Sequence, residues 1–401
     1  MLEFEQALQA MQAEGKKLAL KCSEEQTLEL ALGRILAKDI YSSIDVPPAD
    51  NSAMDGWAYR REDLGTEPGT LQVSQRIAAG DKTKPLAANT AARIFTGAEI
   101  PPGADTVVMQ ENCSWRNDSE VSINKLDKIG ANIRRRGQDI QQNSLVLKAG
   151  LKLDARHLGL LASIGVAKVE VFRALRVALV STGDELKQAG SGALTPGQIY
   201  NSNGPMLEAY CRDLGCEIVK NIHVGDNLKS TEKAFKESAL DADIILSCGG
   251  VSVGEEDHVK QALENLGELD FWKIRIKPGK PLAYARLPKQ DGRTCAFVGL
   301  PGNPVSAFVC CHLFAATLMR AMQGRQHCLP ERSYANTNFA IDMSGKRPEF
   351  IRVKQTEHGL ERFNNQSSGV LSSLAWADAL AFVPEQQKID RGQSLQIFAL
   401  P

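Results

Sequence analysis

The chain has 401 residues, of which 43% are hydrophobic and 24% are charged. This length predicts roughly two to four domains, and the composition is that of a folded globular protein, which excludes a disordered one. The 47 Lys and Arg residues and 48 Asp and Glu residues give a formal charge of −1, which argues against a general nucleic-acid binder.

The first forty residues are predicted to be helical. Phe4, Leu8 and Met11 recur near helical spacing, and residues 28–36 form a second leucine-rich run. Two prolines and several Asp, Asn and Ser residues then predict a loop over residues 45–56.

From about residue 57 to residue 147 the pattern changes to short apolar runs separated by Gly, Pro and Asn. This texture is typical of strands, and it predicts a separate β-rich domain. Residues 151–173 return to one helix and one strand.

The third region alternates strands and helices, which predicts a mostly parallel sheet covered on both faces. After Gly324, short alternating strands predict a small β domain. Asn203 is a candidate N-cap for the first helix of the third region. The predicted strands there are 176–181, 217–224, 243–247, 271–276, 282–287 and 295–300, and the further predicted helices are 230–239, 257–267 and 305–322.

Ligands of an open α/β sheet bind beyond the carboxyl ends of the strands. Four glycine-bearing loops follow predicted strands there, namely TGDEL, CGGVSVGEED, KPGKP and PGNPVS. Backbone N–H groups near Gly249, Gly250 and Gly254 can hold an anion, with Ser252 as a hydroxyl donor. These glycines serve equally well as turn residues, so the evidence for a site is that four such loops meet at one edge.

A cluster of cations follows the predicted strand 271–276. Lys273, Arg275, Lys277 and Lys280 lie within eight residues, and two prolines stiffen the turn that carries the last two lysines. This arrangement predicts a site for a tetrahedral dianion or a phosphate. The alternative is an exposed, solvated charge run.

Carboxylates follow three other predicted strands. Asp184 and Glu185 follow one strand, Asp226 follows another, and Glu255, Glu256 and Asp257 follow a third. Carboxylates are oxygen ligands of the kind that Mg²⁺ prefers, and such an ion would polarise a phosphoanhydride. Asp257 is equally well placed to cap the helix that follows it.

Three segments outside the α/β region also carry polar groups. Asp55 lies in the loop DNSAMDG, Thr96 in a Thr-Gly turn, and Arg134, the first of three arginines, lies near Asp139. Anion binding by one or two of the arginines is favoured over a nucleic-acid surface, because the net charge is close to neutral.

The remaining features exclude several classes of protein. No apolar stretch of about 18 residues lacks a charge, and no secretory signal precedes the first helix, so we expect a cytoplasmic protein with no membrane span. The nine cysteines contain no Cys-x-x-Cys pair, which predicts free thiols and neither a disulfide framework nor a zinc site.

Seven motifs in order resemble those of the molybdopterin molybdenumtransferase family, to which the gephyrin E domain is similar. They are DNSAMDG, TGAEIPPGADTVVMQE, IRRRGQDI, STGDEL, SCGGVSVGEEDHV, IKPGKP and GLPGNPVSA, and the resemblance covers essentially the whole chain. It implies a multidomain α/β protein with a three-layer molybdopterin-binding domain. The implied parts are a helical linker or dimerisation domain (1–43 and 144–173), a β-rich lobe (44–143), the molybdopterin-binding α/β domain (174–324) and a C-terminal β domain (325–401).

The resemblance also implies the final step of molybdenum cofactor synthesis. Molybdate would be inserted into adenylylated molybdopterin with release of AMP, a divalent cation such as Mg²⁺ would be needed, and the cleft would lie across a homodimer interface. An upstream adenylyltransferase and acceptor molybdoenzymes are further expected partners. The implied catalytic residues are Asp55, Thr96, Asp139, Glu185, Asp226 and Asp257, with Glu185, Asp226 and Asp257 at the metal. The implied substrate and anion ligands are Arg134, Gly249, Gly250, Ser252, Lys273, Lys277, Lys280, Pro301, Pro304, Ser306, Arg347 and Ser368.

Two alternatives stay open at this point. One is a molybdopterin adenylyltransferase of the same fold, and the other is a non-catalytic scaffold like the gephyrin domain. The chain departs from the family pattern at Trp57, where a smaller aromatic residue is common, and at Cys248, where serine is usual. We expect Cys248 to be an inert filler, although a reactive thiol at the rim of the site is the alternative.

Overall fold

The computed structural model describes residues 2–117, 119–250, 258–279, 281–289 and 291–401. Three of the predicted site residues, Ser252, Asp257 and Lys280, therefore lie outside the described residues.

The elements follow one another along five stretches of the chain. Residues 4–41 form α1 (Phe4–Lys17), β1 (Ser23–Thr27), α2 (Leu28–Ala31) and β2 (Ile40–Tyr41). Residues 51–134 form β3 (Asn51–Ser52), β4 (Gly56–Tyr59), β5 (Gly69–Ile77), β6 (Thr90–Ile94), β7 (Thr106–Met109), β8 (Cys113–Asn117), β9 (Glu120–Ile123) and β10 (Ile133–Arg134). Residues 145–172 form β11 (Leu145–Leu147), α3 (Ala155–Ser163) and β12 (Lys168–Phe172).

The second half of the chain continues the series. Residues 175–322 form β13 (Leu175–Thr182), β14 (Leu186–Lys187), β15 (Ile199–Tyr200), α4 (Asn203–Asp213), β16 (Cys216–Val224), α5 (Leu228–Asp241), β17 (Ile244–Cys248), α6 (His258–Leu266), β18 (Glu268–Lys273), β19 (Pro281–Pro288), β20 (Thr294–Leu300), α7 (Pro304–Cys310) and α8 (Ala316–Met322). Residues 333–399 form β21 (Ser333–Asn336), β22 (Glu349–Thr356), β23 (Gly359–Arg362), α9 (Ser372–Trp376), β24 (Ala379–Val383) and β25 (Ser394–Ala399).

Two distant stretches of chain make one small domain. β1 pairs antiparallel with β12, and β2 pairs antiparallel with β11, around a shared apolar cluster that includes Leu36, Leu147 and Val171. The predicted helix over residues 28–36 is wrong beyond Ala31, because Leu36 N–H bonds to the Leu151 carbonyl and draws this segment toward residues 145–172. Leu30 and Leu32 are left 66% and 61% exposed.

The first helix packs away from that small domain. The apolar face of α1 carries Phe4, Leu8 and Met11, and it belongs to the main core of the α/β region. Phe4 also meets Phe350 and Phe398 of the C-terminal domain at ring centroid distances of 4.9 and 5.9 Å. α1 therefore fastens the C-terminal domain to the α/β region.

The β-rich lobe is a twisted sheet with the strand order β7-β4-β6-β5-β9-β8. Only β5 and β6 run parallel among these described neighbours. Alternate residues of β4 serve two cores, because Trp57 and Tyr59 enter one apolar cluster and Ala58 enters another.

The α/β region contains a six-stranded sheet with the order β16-β13-β17-β20-β19-β18. Neighbours β16, β13, β17 and β20 are parallel, and β19 runs antiparallel to β20 and β18. Both faces are buried, since Val177 and Leu179 face one core whereas Ala178 and Val180 face the other. The loops after β13, β16, β17, β18 and β20 consequently meet at one edge of the sheet.

The long apolar helix after β20 is a core element. The span Pro304–Met322 is long and apolar enough to cross a membrane by composition, but 89% of it is buried inside the protein. It comprises α7, a π-helical turn at Cys311–Ala315 and α8. The C-terminal domain is a separate sheet with the order β21-β25-β24-β22-β23.

Candidate active site

A cavity of about 1140 Å³ lies at the carboxyl edge of the six-stranded sheet. Residues from the loops after β13, β16, β17, β18 and β20 line it, and two segments of the C-terminal domain complete the wall. Ten of the predicted site residues lie in this lining: Glu185, Asp226, Gly249, Gly250, Lys277, Pro301, Pro304, Ser306, Arg347 and Ser368.

Carboxylates occupy the part of the wall that follows β13 and β16. Glu185 and Asp226 both line the cavity and are solvent-exposed. The two loops are joined reciprocally, because Asp184 N–H donates to Asp226 Oδ2 at 3.3 Å and Asp226 N–H donates to Asp184 Oδ1 at 3.1 Å. Among the described residues, no group of three His, Cys, Asp or Glu side chains is placed to hold a metal ion.

Cations occupy the part of the wall where the C-terminal domain meets the loop after β18. β18 ends at Lys273, so the predicted strand over residues 271–276 is wrong beyond that residue. The chain instead leaves the sheet and bonds to the C-terminal domain: Lys277 N–H donates to the Pro348 carbonyl at 2.9 Å, and Phe350 N–H donates to the Lys277 carbonyl at 2.7 Å. This brings Lys277 and Arg347 into one wall, whereas Lys273 is not part of the cavity lining.

A strap of residues 366–369 closes the cationic end of the cavity. Gln366 fastens the strap to β22, because its Oε1 accepts from Arg352 N–H at 2.9 Å and its Nε2 donates to the Arg352 carbonyl at 3.0 Å. The guanidinium of Arg352, 1% exposed, donates to Ser373 Oγ at 3.0 Å and to the Ser367 carbonyl at 3.1 Å. The Ser368 carbonyl in turn accepts from Val305 N–H at 3.1 Å, so the strap is bound to the start of α7.

Burial lowers the pKa of Arg352 to about 10, and this guanidinium stays cationic at neutral pH. Sequence reasoning missed Arg352 and Gln366 as supports of the site. The sequence carries no clear signal for them, because Arg352 shares its strand face with Lys354 and Thr356 as well as with Phe350 and so looks like an ordinary surface residue.

The floor of the cavity holds polar groups next to Cys248. Asn203 donates through Nδ2 to the Gly302 carbonyl at 2.7 Å and to Cys248 Sγ at 3.0 Å. Its predicted role as an N-cap is wrong, since the helix begins at Asn203 itself and Asn201 Oδ1 accepts the Gly204 N–H at 3.0 Å. Asn203 Oδ1 and Thr182 Oγ1 are buried and have no hydrogen-bond partner within the described ranges.

Two of the predicted residues of the β-rich lobe, Asp55 and Thr96, contact each other. Asp55 Oδ1 accepts from Thr96 N–H at 2.7 Å and from Thr96 Oγ1 at 2.9 Å. β3, beside the loop that carries Asp55, pairs with β10, which carries Arg134. Asp55, Thr96, Arg134 and Asp139 are all exposed, and none of them lines the cavity of the same chain.

Charge pairing distinguishes the three consecutive arginines of the lobe. Arg135 binds Asp50 at 2.6 Å, and Arg136 binds Asp45 at 2.6 Å. Arg134 forms no ion pair with any residue in the described part of the chain. Hydrogen bonds from Thr96 lower the pKa of Asp55, so this carboxyl is ionised at neutral pH.

Three family models match consecutive parts of the chain. They are the MoeA N-terminal region (domains I and II) at residues 2–165, a probable molybdopterin-binding domain at 178–321, and the MoeA C-terminal region (domain IV) at 334–400. The molybdopterin molybdenumtransferase of Haemophilus influenzae is 42% identical over 76% of this chain and 74% of its own length. The enzyme of that name from a Nostoc species is 36% identical over 92% and 87%. The molybdopterin biosynthesis MoeA protein of Pyrococcus horikoshii superposes with a TM-score of 0.84 at 26% identity and covers 100% of both chains.

Proposed function

Because this chain belongs to the molybdopterin molybdenumtransferase family, we propose that it inserts molybdate into adenylylated molybdopterin and releases AMP with the help of Mg²⁺. The coarser assignment, a transferase of molybdenum cofactor biosynthesis, rests on its relatives. We further propose that it works in the cytoplasm as a homodimer.

One observation carries this proposal: a single cavity has a carboxylate wall and a cationic wall. A substrate with a phosphoanhydride at one end and a site of molybdate attack at the other needs this division. The carboxylates Glu185 and Asp226 suit a metal at the phosphoanhydride. Lys277 and Arg347 suit a tetrahedral dianion, because an ammonium and a guanidinium donate charge-assisted hydrogen bonds to oxyanions.

Neutral donors around the cationic wall would orient the bound oxyanion. Ser306 lies near the start of α7 and Ser368 on the strap, and both line the cavity. Hydroxyl donors add direction to the attraction from Lys277 and Arg347. Gly249 and Gly250 bring backbone close to the cavity, because a Cβ on Gly249 would come within 2.5 Å of the Thr182 carbonyl oxygen.

Within the described residues, two carboxylates in the cavity wall could hold a magnesium ion, and no group of three metal-ligating side chains is gathered there. Glu185 and Asp226 offer the oxygen ligands that Mg²⁺ prefers, and Mg²⁺ fills several of its positions with water and substrate phosphates. We propose Asp257 as a third ligand, although it lies outside the described residues. When bound, the ion would neutralise charge that develops on the phosphoanhydride during its cleavage.

We place Asp55, Thr96, Arg134 and Asp139 in the cleft of a neighbouring subunit. These exposed polar side chains belong to the lobe and do not line the cavity of their own chain. A homodimer that sets one subunit's lobe against the other's cavity gives this surface a role. The exposed Leu30 and Leu32 supply apolar surface for such an interface.

Two variants test the division of the cavity. We expect Lys277→Ala to weaken molybdate binding about tenfold or more while AMP still binds, because it removes one of two cations. We expect Asp226→Asn to reduce Mg²⁺-dependent AMP release from adenylylated molybdopterin by about a hundredfold while molybdate still binds. Calorimetric titration and product assay measure the two effects.

Matched surface variants are the controls. Lys388→Ala and Asp241→Asn remove exposed charges outside the cavity lining, and both should behave as wild type. Unchanged molybdate binding in Lys277→Ala would remove the anion assignment. AMP transfer from ATP to molybdopterin by the wild-type chain would instead favour the adenylyltransferase.

A further inference from the structure

An acidic residue lies directly behind the cationic wall of the cavity and has no evident place beside an anion site. Glu349, the first residue of β22, accepts a hydrogen bond from Lys277 Nζ at 3.1 Å. The Glu349 side chain is only 16% exposed, whereas that of Lys277 is 52% exposed. Glu349 does not line the cavity, so it reaches the site through Lys277.

The backbone holds this ion pair in place. Lys277 and Glu349 form a parallel β-bridge. The Lys277 N–H donates to the carbonyl of Pro348, and the Lys277 carbonyl accepts from the N–H of Phe350. The Arg347 guanidinium adds a third link, because it donates to the Ile276 carbonyl at 2.9 Å. These contacts hold the backbones of Lys277 and Glu349 side by side, so the carboxylate stays within reach of the Lys277 ammonium.

The adjoining loop leaves room for the carboxylate. A Cβ on Gly345 would stand 2.5 Å from Glu349 Oε1, closer than real Cβ atoms come to an oxygen. Because the Lys277 side chain is 52% exposed, water screens its ion pair with Glu349, and the small contribution of such a pair to folding does not account for this arrangement. An effect on the anion site does account for it.

We propose that Glu349 is an affinity-setting residue, which offsets the charge of Lys277 and so weakens the hold of the cavity on tetrahedral dianions. This inference rests on the proposed molybdate site. Two uncompensated cations would bind sulfate as readily as molybdate, since the two ions share shape and charge. A fixed carboxylate lowers the affinity for both and keeps the site exchangeable.

Neutralising the carboxylate should tighten anion binding. Glu349→Gln keeps an oxygen acceptor for Lys277 Nζ at the same chain length, so the position of the ammonium is preserved while the negative charge is lost. A unit charge near a dianion at a solvent-facing site changes affinity by roughly tenfold. We therefore expect Glu349→Gln to bind both sulfate and molybdate about tenfold more tightly than wild type, measured by calorimetric titration.

Salt separates this charge effect from a structural one. The difference between Glu349→Gln and wild type should shrink as ionic strength rises from about 0.05 to about 0.5 M, because exposed charges become screened. Gly345→Ala should also tighten binding, since it displaces the carboxylate without removing it. Asp390→Asn, which removes the same charge from the exposed Lys388–Asp390 pair of this domain, is the matched control and should bind as wild type.

The outcomes distinguish this inference from the proposed function. If Lys277→Ala loses sulfate binding while Glu349→Gln binds sulfate as wild type or more weakly, the role of Glu349 is wrong and the anion site stands. If Lys277→Ala changes the binding of neither oxyanion, the anion site fails and the role of Glu349 fails with it. Sulfate does not react, so these measurements do not depend on turnover.

Discussion

Single residues around the cavity obtain their properties from burial and from one or two neighbours. Cys248 shows this most clearly, because burial raises the pKa of its thiol to about 12, against the smaller opposing effects of hydrogen bonds from the Asn203 side chain and the Gly249 backbone. At neutral pH the sulfur is therefore a protonated filler, in spite of its place on the cavity wall. The substitution of the usual serine by cysteine keeps a small group that donates to the Pro301 carbonyl at 3.2 Å.

Thiol labelling tests this conclusion. Of the nine cysteines, Cys22 is exposed and the other eight are buried. We expect a disulfide reagent at pH 8 to modify one thiol per native chain and nine after unfolding, and Cys22→Ser should reduce the native value to zero. Rapid modification of Cys248 in the native protein, detected by peptide mapping, would show that the thiol is reactive.

Among the elements, the helix after β20 connects the cavity to the core. α7 begins at the cavity with Pro304 and Ser306, and the π-helical turn that follows carries His312 into the core. His312 is 5% exposed and its Nδ1 bonds to the Tyr210 hydroxyl at 2.9 Å. Burial, followed by the charge of Arg320, lowers the pKa of His312 to about 4, so the ring is neutral in the folded protein at neutral pH.

This buried ring makes stability depend on pH. The unfolded chain has the higher His312 pKa, near 6.5, so it takes up a proton first as the pH falls. The stabilisation is complete above about pH 6.5 and is lost progressively toward pH 4, by about 3 kcal/mol in total. We expect His312→Gln, which retains an acceptor for Tyr210, to lose less free energy of unfolding between pH 7 and pH 4 than wild type in denaturant titrations. Equal losses in the two proteins would show that His312 does not titrate on unfolding.

The order of strands and helices also determines which site residues can be predicted from the sequence. Glu185, Asp226 and Lys277 were expected together because alternating strands and helices bring loop ends to one sheet edge, and the three residues do share one cavity. The pairing of Glu349 with Lys277 was not predictable. It joins positions 72 apart through a bridge between two domains, and no local pattern encodes such a bridge.

Residues 4–36 show the same limit of sequence-based prediction. The spacing of Phe4, Leu8 and Met11 predicts a buried helix face, but an apolar face does not identify what it packs against. This face of α1 packs on the α/β core. The spacing of the leucines near residue 30 predicts a buried helix, but apolar spacing alone does not distinguish core from interface. The helix α2 ends at Ala31, and Leu30 and Leu32 are exposed.

At the scale of the whole molecule, the polar residues of the lobe and the cavity of the α/β region form two separate surfaces on one chain. Asp55, Thr96, Arg134 and Asp139 are exposed and do not line the cavity. In a dimer with a twofold axis, the lobe surface of each copy would face the cavity of the other copy, which gives two equivalent clefts. Every cleft would then need residues from both chains.

Mixed dimers test this arrangement. Asp55→Ala disables the lobe surface and Lys277→Ala disables the cavity, so each variant alone should be nearly inactive. When the two variants are unfolded together and refolded, half of the dimers are mixed, and each mixed dimer has one cleft with both changes and one with neither. We therefore expect molybdenum insertion to return to about a quarter of the wild-type rate. If Asp55 and Lys277 acted within a single chain, no cleft in the mixture would be intact and activity would stay at the level of the separate variants. A chain that carries both substitutions, mixed with wild type, is the control. If the two surfaces act within a chain, each of its mixed dimers keeps one active cleft. If they act across the interface, both clefts of a mixed dimer carry one substitution and are inactive.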